Sequence, residues 1–231
     1  MDSNLAQKIL EQTKNNYDQL AVDWDRTRQY VSDGSQDFLQ YIKVGDRVLD
    51  AGCGNGRLVK LFSTVNVKYV GLDNSQALLA VARKNFPQAK FVAGDILRLP
   101  FADQSFDAVF CVAALHHLPT GRLRRQALAE INRVLIPAGF LILLNWSWRS
   151  PKIRRRLVNY TITKLFKGSE LDWGDIYVGW GQTNIQRYVH LFSQSGTKSL
   201  LDQTGYQVRA NYVSAPTQRG FCNLVTIGQK C

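Results

Sequence analysis

The chain has 231 residues, 45% of them hydrophobic, and its 29 basic against 18 acidic side chains give a formal net charge of +11. That length suits a single domain with room for an elaboration and a sizeable core. No apolar run approaches the about 20 residues of a membrane helix, and the polar start of the chain lacks the apolar stretch of a secretory signal, so a cytoplasmic protein without stable membrane association is expected. The charge favours a polyanionic partner, either nucleic acid or an anionic membrane surface.

Apolar residues Leu5, Ile9, Leu10, Tyr17, Leu20 and Ala21 recur at helical spacing and predict a helix over 3–24, with Ser3 as its cap. A second helix is expected over 35–42, then a turn at 43–46. From there strands and helices alternate: strands over 47–50, 68–72, 90–93, 106–112 and 140–146, with helices over 56–62, 75–85 and 121–135. This order predicts an α/β fold built on a mostly parallel sheet with helices on both faces. After Ser150 the texture changes. Residues 151–167 read as a basic helix, 168–187 as irregular and rich in Gly and Trp, 195–203 as helix, and 206–213 and 223–228 as strands. The expected organisation is one domain over 1–231: a helical cap (1–42), a core that holds the cofactor (43–148), a basic and aromatic substrate-binding insertion (149–195) and the end of the sheet (196–231).

The first strand runs into Asp50-Ala51-Gly52-Cys53-Gly54-Asn55-Gly56. Glycines at that spacing let the backbone turn tightly and approach a ligand closely. Asp73, followed by Asn74, ends the second strand and is of the type that accepts hydrogen bonds from ribose hydroxyls. Asp95 ends the third strand, beside Ile96, and suits an adenine amino group. With Val112 at the end of the fourth strand, these residues line the carboxyl edge of the sheet, where open α/β folds bind ligands. NAD is the competing ligand, disfavoured because the chain lacks an obvious second catalytic half. Three strand-ending acids with no ligand is the structural alternative. None of Cys53, Cys111, Cys222 and Cys231 forms a Cys-x-x-Cys pair, so no metal site is expected.

The constellation resembles the class I S-adenosylmethionine-dependent methyltransferases. The blocks Leu99-Pro100-Phe101, Leu115-His116-His117-Leu118 and Arg133-Val134-Leu135-x-Pro137-x-Gly139 fit it too, with Ala138 departing from the usual Gly. The resemblance implies a Rossmann-like, mostly parallel seven-stranded sheet and S-adenosyl-L-methionine as cofactor. The flanks narrow it. Tyr17-Asp18-Gln19-Leu20-Ala21-x-x-Trp24-x-x-Thr27-Arg28, Asp175-x-x-Val178-x-Trp180 and Arg187-Tyr188-x-His190-Leu191-Phe192 are similar to the tRNA wobble-uridine methyltransferases, with Gly179 where the family tends to have Pro. That resemblance implies methyl transfer to the carboxylate of 5-carboxymethyluridine in the anticodon loop of tRNA, and a small activator subunit as a partner in some members.

A carboxylate acceptor is already ionised at neutral pH and needs positioning rather than a base. Arg28, His116, Arg187, Tyr188 and His190 are the candidate catalytic side chains, because guanidinium, hydroxyl and imidazole donors suit an anion. Each has a structural alternative: a salt-bridged surface Arg28, a core Tyr188, a satisfied core His190. His117 would cap a turn, and Asp107 would start a strand. Arg154, Arg155 and Arg156, within a stretch from Arg149 to Lys167 that carries no acid before Glu170, would meet phosphates. Arg122, Arg124 and Arg125 form a second cluster. Trp180, with Trp173 and Tyr177, would stack on unpaired bases or pack in the core. A basic amphipathic helix also fits a membrane surface, so a lipid-quinone or other small-molecule methyltransferase is the alternative enzyme. A non-catalytic RNA-binding protein of the same fold is the third reading.

Overall fold

The computed structural model describes residues 1–28, 35–151, 153–154, 157–158, 160–161, 170–181, 183–215 and 221–231. Its centre is a seven-stranded sheet in the order β3-β2-β1-β4-β5-β9-β8. The strands are β1 (Arg47–Ala51), β2 (Lys68–Asp73), β3 (Lys90–Ala93), β4 (Phe106–Val112), β5 (Leu135–Trp146), β8 (Tyr206–Val213) and β9 (Asn223–Lys230). Every pairing from β3 to β5 is parallel, and β9 runs antiparallel to both of its neighbours. The expected mostly parallel sheet is thus observed, with one reversed strand.

Strand alternation sorts the core into two layers. Leu49, Ala51, Val109, Cys111, Leu141 and Leu143 face one side. Val48, Ala108, Phe110, Ile142 and Leu144 face the other. The first layer is covered by α3 (Gly121–Val134), whose Leu123, Ala127, Leu128, Ile131 and Val134 recur every three or four residues and are buried. The second is covered by 3-10 segments at Ser35–Tyr41 and Arg57–Thr64, which supply Phe38, Leu58, Leu61 and Phe62. Each such side chain, fully buried, stabilises the fold by about 1.5–3 kcal/mol. The helices expected over 35–42 and 56–62 are therefore present in the tighter 3-10 form. Asp107 starts β4 as expected and is held by Arg47, Nε to Oδ2 at 2.9 Å.

Three expectations are corrected. Asp2 rather than Ser3 caps α1 (Ser3–Thr27), its Oδ1 accepting from the Leu5 N–H at 2.8 Å. The segment read as irregular over 168–187 contains a strand, β6 (Asp175–Gly179), which pairs antiparallel with β7 (Gln186–His190) in a separate two-stranded sheet. The strand read as 140–146 begins earlier, at Leu135, and Ala138, at the position usually held by Gly, has φ 61°. Of the stretch read as a basic helix, the described residues 151, 153, 154, 157, 158, 160 and 161 are helical.

Helix α1 is fastened across the carboxyl edge of the sheet. The Asn16 side-chain amide donates to the Gln186 carbonyl at 2.9 Å and so ties α1 to β7. Asp18 Oδ1 accepts from Ser75 Oγ at 2.6 Å and from the Ala77 N–H at 3.2 Å, at the start of α2 (Gln76–Asn85). Asp25 Oδ1 accepts from both Asn55 Nδ2 (2.9 Å) and Asn85 Nδ2 (2.8 Å). A carboxylate at a helix N-terminus also meets its positive end. Asp18→Ala removes two hydrogen bonds and should lower the unfolding free energy by about 1–2 kcal/mol. Urea titration checks this: an unchanged midpoint at constant slope would show that α1 is held elsewhere.

Candidate active site

Strand order reverses between β1 and β4, whose carboxyl ends diverge and leave a crevice. A cavity occupies that place. Its floor is the turn after β1, and Asp50, Gly52, Cys53, Gly54, Asn55, Asp73, Asn74, Asp95, Ile96 and Val112 all line it. Of the candidate cofactor residues only Gly56 does not. Gly56 sits behind the turn with φ +75°, where a Cβ would come within 2.8 Å of the Phe91 ring, so its role is close packing. Gly52, at φ +84°, has Ala114 Cβ only 2.4 Å from where its own Cβ would stand. Any side chain there would push the turn off the segment after β4.

The carboxylates hold the turn. Asp73 accepts from the Gly54 N–H on Oδ2 (2.8 Å) and from the Ser75 N–H on Oδ1 (2.9 Å). Asp50 accepts from the Tyr69 hydroxyl on Oδ2 at 2.9 Å. Its Oδ1 is buried with no hydrogen-bond partner among the described residues. Burial pushes the Asp50 pKa up to about 7, against the Tyr69 hydrogen bond and the nearby Arg57. An orphaned carboxylate oxygen on a cavity wall suits a ligand that brings a cationic or hydroxyl donor.

The opposite wall comes from α1 and the segment after β4: Leu10, Thr13, Tyr17, Trp24, Ala113, Ala114, His117 and Leu118. His117 takes the place at the cavity expected of His116. His117, not His116, lines the cavity. Its Nε2 lies 2.7 Å from the Tyr17 hydroxyl and its Nδ1 2.8 Å from the Tyr188 carbonyl. Burial lowers the His117 pKa to about 3. The ring is therefore neutral, Nδ1–H donates to the carbonyl, and Nε2 accepts from the Tyr17 O–H. Tyr17 in turn accepts from Arg187 Nη1 at 3.4 Å. His116 is turned away, packed between the His117 ring (4.3 Å) and the Trp146 ring (5.6 Å), with its Nδ1 unpartnered among the described residues.

Around this wall aromatic rings and cations interleave. Trp24 and Trp180 are tilted at 5.3 Å between ring centres. The Arg28 guanidinium lies 5.1 Å from the Trp180 ring and 5.3 Å from that of Trp24. Arg187 is buried, 4.7 Å from Trp180 and 5.8 Å from Trp146, and its Nε has no partner among the described residues. Trp180 is buried, so it supports the two guanidinium groups instead of offering a free stacking face.

Strand alternation separates the other candidates from Arg187. In the β6–β7 hairpin, Ile176, Val178 and Val189 share the face of Arg187, and the three aliphatic residues pack with Ile153 and Leu191. Tyr188 and His190 point the other way with Asp175, and His190 Nδ1 meets Asp175 Oδ1 at 2.7 Å. Only the backbone of Tyr188 reaches the cofactor-side wall. Arg154 is exposed, and Arg155 and Arg156 lie outside the described residues. Tyr17, Trp24, His117 and Asp25 were not singled out as site residues by sequence reasoning. The one signal was that all but His117 fall within the segment Tyr17 to Arg28. Asn145, at the end of β5, was missed as well; its side-chain amide is buried with no partner among the described residues.

A methyltransferase domain family matches residues 49–143. A protein of Encephalitozoon cuniculi named as a methyltransferase is 36% identical over 80% of this chain and 78% of its own. The tRNA (carboxymethyluridine(34)-5-O)-methyltransferase of Schizosaccharomyces pombe is 27% identical over 82% of this chain and 86% of its own. A human protein named as a tRNA methyltransferase 9B is 29% identical over 97% of this chain, but this chain spans only 44% of the human length. Among solved structures, a S-adenosylmethionine-dependent methyltransferase of Methanosarcina mazei superposes with a TM-score of 0.73 at 24% identity, covering 84% of this chain and 96% of that one. A Haloferax volcanii methyltransferase solved with the Trm112 activator gives 0.62 at 21%, covering 93% and 97%. The chain belongs to the methyltransferases, and its fold is that of the class I S-adenosylmethionine-dependent ones. Within them, the relatives it matches include those named for methylation of tRNA and, in several cases, of carboxymethyluridine at position 34.

The Asp50 geometry makes a pH-dependent prediction. Between pH 3.8 and about 7 the unfolded chain has released a proton that the folded chain still holds, so this group lowers stability progressively as pH rises through that window. Asp50→Asn should therefore gain stability over the parent at pH 8 compared with pH 5. S-adenosylmethionine, which brings an ammonium group, should bind the parent more tightly as pH rises through 7, and the variant should lose that dependence. Equal stability differences at both pH values would show that the carboxyl is not held protonated.

Proposed function

We propose that the chain methylates the carboxylate of 5-carboxymethyluridine at the wobble position of tRNA. The observation that carries this reading is the wall of cations and rings beside the cofactor cavity: Arg187 buried, its Nε without a partner among the described residues, Arg28 against the same Trp180 ring, and a neutral Tyr17–His117 pair. An ionised acceptor needs such a wall and no base. The fission yeast enzyme, matched over most of both chains, supports the same substrate.

In this reading Asp73 meets the ribose hydroxyls, Asp95 and the Ile96 backbone meet the adenine, and the orphaned Asp50 oxygen meets the ammonium. When bound, S-adenosylmethionine supplies a methyl group made electrophilic by the sulfonium. Arg187 and Arg28 hold the acceptor carboxylate with charge-assisted hydrogen bonds. Tyr17, locked between Arg187 and His117, fixes the guanidinium in place. The buried ring of Trp180 and the half-buried ring of Trp24 keep water from these contacts and strengthen them. The net charge of +11 draws RNA to the surface, and Arg154 with its neighbours in sequence would meet phosphates. A small activator subunit is part of this proposal, supported by the Haloferax volcanii complex.

Labelled S-adenosylmethionine and bulk tRNA test the reading. The label should enter a nucleoside and leave it after mild base, as an ester does. Label in an organic extract, with none in RNA, would reject it in favour of a small-molecule acceptor. Arg187→Gln should slow transfer to tRNA roughly 10- to 100-fold, the value of a charge-assisted contact, with S-adenosylhomocysteine affinity unchanged. Arg187→Lys should fall between. Full activity in Arg187→Gln would remove that residue from the acceptor site.

A further inference from the structure

A second cavity lies on the other face of the β6–β7 hairpin. Its walls include Arg124, Trp148, Trp173, His190 and Phe192, and it opens between the start of α3, at Gly121, and that of α4 (Gln194–Asp202). Nothing in the proposed reaction uses it.

Its chemistry is specific. Arg124 is 5% exposed, its Nη1 donates to the Leu118 carbonyl at 2.9 Å, and its Nε has no partner among the described residues. A buried guanidinium with an unsatisfied N–H at a cavity calls for an anion. Two helix N-termini converge on the same space and add partial positive charge. Both Asp175 oxygens are engaged elsewhere, Oδ1 with His190 Nδ1 and Oδ2 with the Asp172 N–H, and neither accepts from Arg124 Nε. With Nδ1–H committed to Asp175, the neutral His190 ring keeps Nε2 as an acceptor, suited to an amino or hydroxyl group. At the rim, Trp173 is 66% exposed and Trp148 39%. The Arg149 guanidinium lies over the Trp148 ring at 5.8 Å, and the more exposed Trp173 indole beside a cationic hollow suits a planar base. Arg122 and Arg125 on α3 are exposed nearby, so the cluster read as three surface arginines divides into two at the surface and one in the cavity.

We infer that this cavity seats a nucleotide of the RNA substrate that flanks the methylated one, its base against Trp173 and its phosphate at Arg124. The inference rests on the tRNA reading above. The two cavities adjoin through one backbone: His117 and Leu118 line the first, while the Leu118 carbonyl holds Arg124 in the second.

Two measurements test it on the full chain. Adenosine and uridine 5′-monophosphate at millimolar concentration should quench tryptophan emission, undisturbed by saturating S-adenosylhomocysteine. Trp173→Ala should abolish the quench and Trp173→Phe should retain binding. In methyl transfer, Trp173→Ala should raise the KM for tRNA about tenfold, as expected for one lost stacking contact, with kcat and cofactor affinity unchanged and Trp173→Phe largely restored. Competition by S-adenosylhomocysteine would place the nucleotide in the cofactor cavity and overturn the inference. So would an unchanged KM for tRNA, which would leave at most a free-nucleotide site. A parent that binds the monophosphates but methylates no tRNA would sink the proposed function while leaving the cavity a nucleotide site.

Discussion

The half-buried carboxylate of Asp73 is the point on which the site is assembled. One of its oxygens holds the Gly54 N–H and the other the Ser75 N–H, so a single side chain at the end of β2 joins the glycine turn after β1 to the first residues of α2. Burial pushes its pKa up and the backbone donors pull it down. Two N–H groups that a tight turn and a helix start leave without backbone partners are thereby satisfied. Ser75 then receives α1 through Asp18, and Asn55 in the turn receives it through Asp25. Turn, helix and covering helix therefore share one hydrogen-bonded frame, and the cavity is the space inside it.

That frame separates two kinds of electrostatic environment a short distance apart. On the sheet side acids predominate, and the buried Asp50 keeps one oxygen without a donor among the described residues. On the side of α1 and the hairpin they are guanidinium groups held against indole rings. In the proposed reaction the cationic, adenosyl-bearing cofactor and the anionic acceptor are opposites in charge, and each would meet a complementary wall. The neutral His117–Tyr17 pair lies between the two without adding charge to either, so attraction for one ligand is not bought at the expense of the other.

Much of this was legible in the sequence, and the reasons are local. A Gly-x-Gly-x-Gly turn between a strand and a helix has few physical uses, and strand ends at Asp73 and Asp95 follow from period and turn chemistry. The sheet followed from alternating apolar runs. What escaped was governed by direction in space. His116 and His117 are adjacent and chemically alike, and only the φ of +58° at Ala113 and the 3-10 turn at Leu115–His117 decide which ring faces the cavity. Residues 168–187 gave weak strand signals because the hairpin has only five residues a side and buries side chains on both faces, so no apolar–polar alternation marks it. Arg187, Tyr188 and His190 looked like one cluster on a linear reading, yet a strand sends the middle one opposite to its neighbour Arg187. Tyr17 and Trp24 were noticed as a motif, but their meeting with His117 and Trp180 depends on how α1 crosses the sheet edge.

The hairpin has an evolutionary corollary. Because Arg187 and His190 lie three residues apart on one strand, they serve opposite faces, and each face is free to change its side chains without disturbing the other. Length is another matter. One residue inserted or deleted ahead of Arg187 within β7 would turn every side chain on it over, bringing Tyr188 toward the tryptophans and Arg187 toward Asp175. Descendants of this chain are thus free to explore new acceptors by substitution along 186–190, while insertions are confined to the connection at 180–185, where a change of length leaves the pairing of both strands as it is.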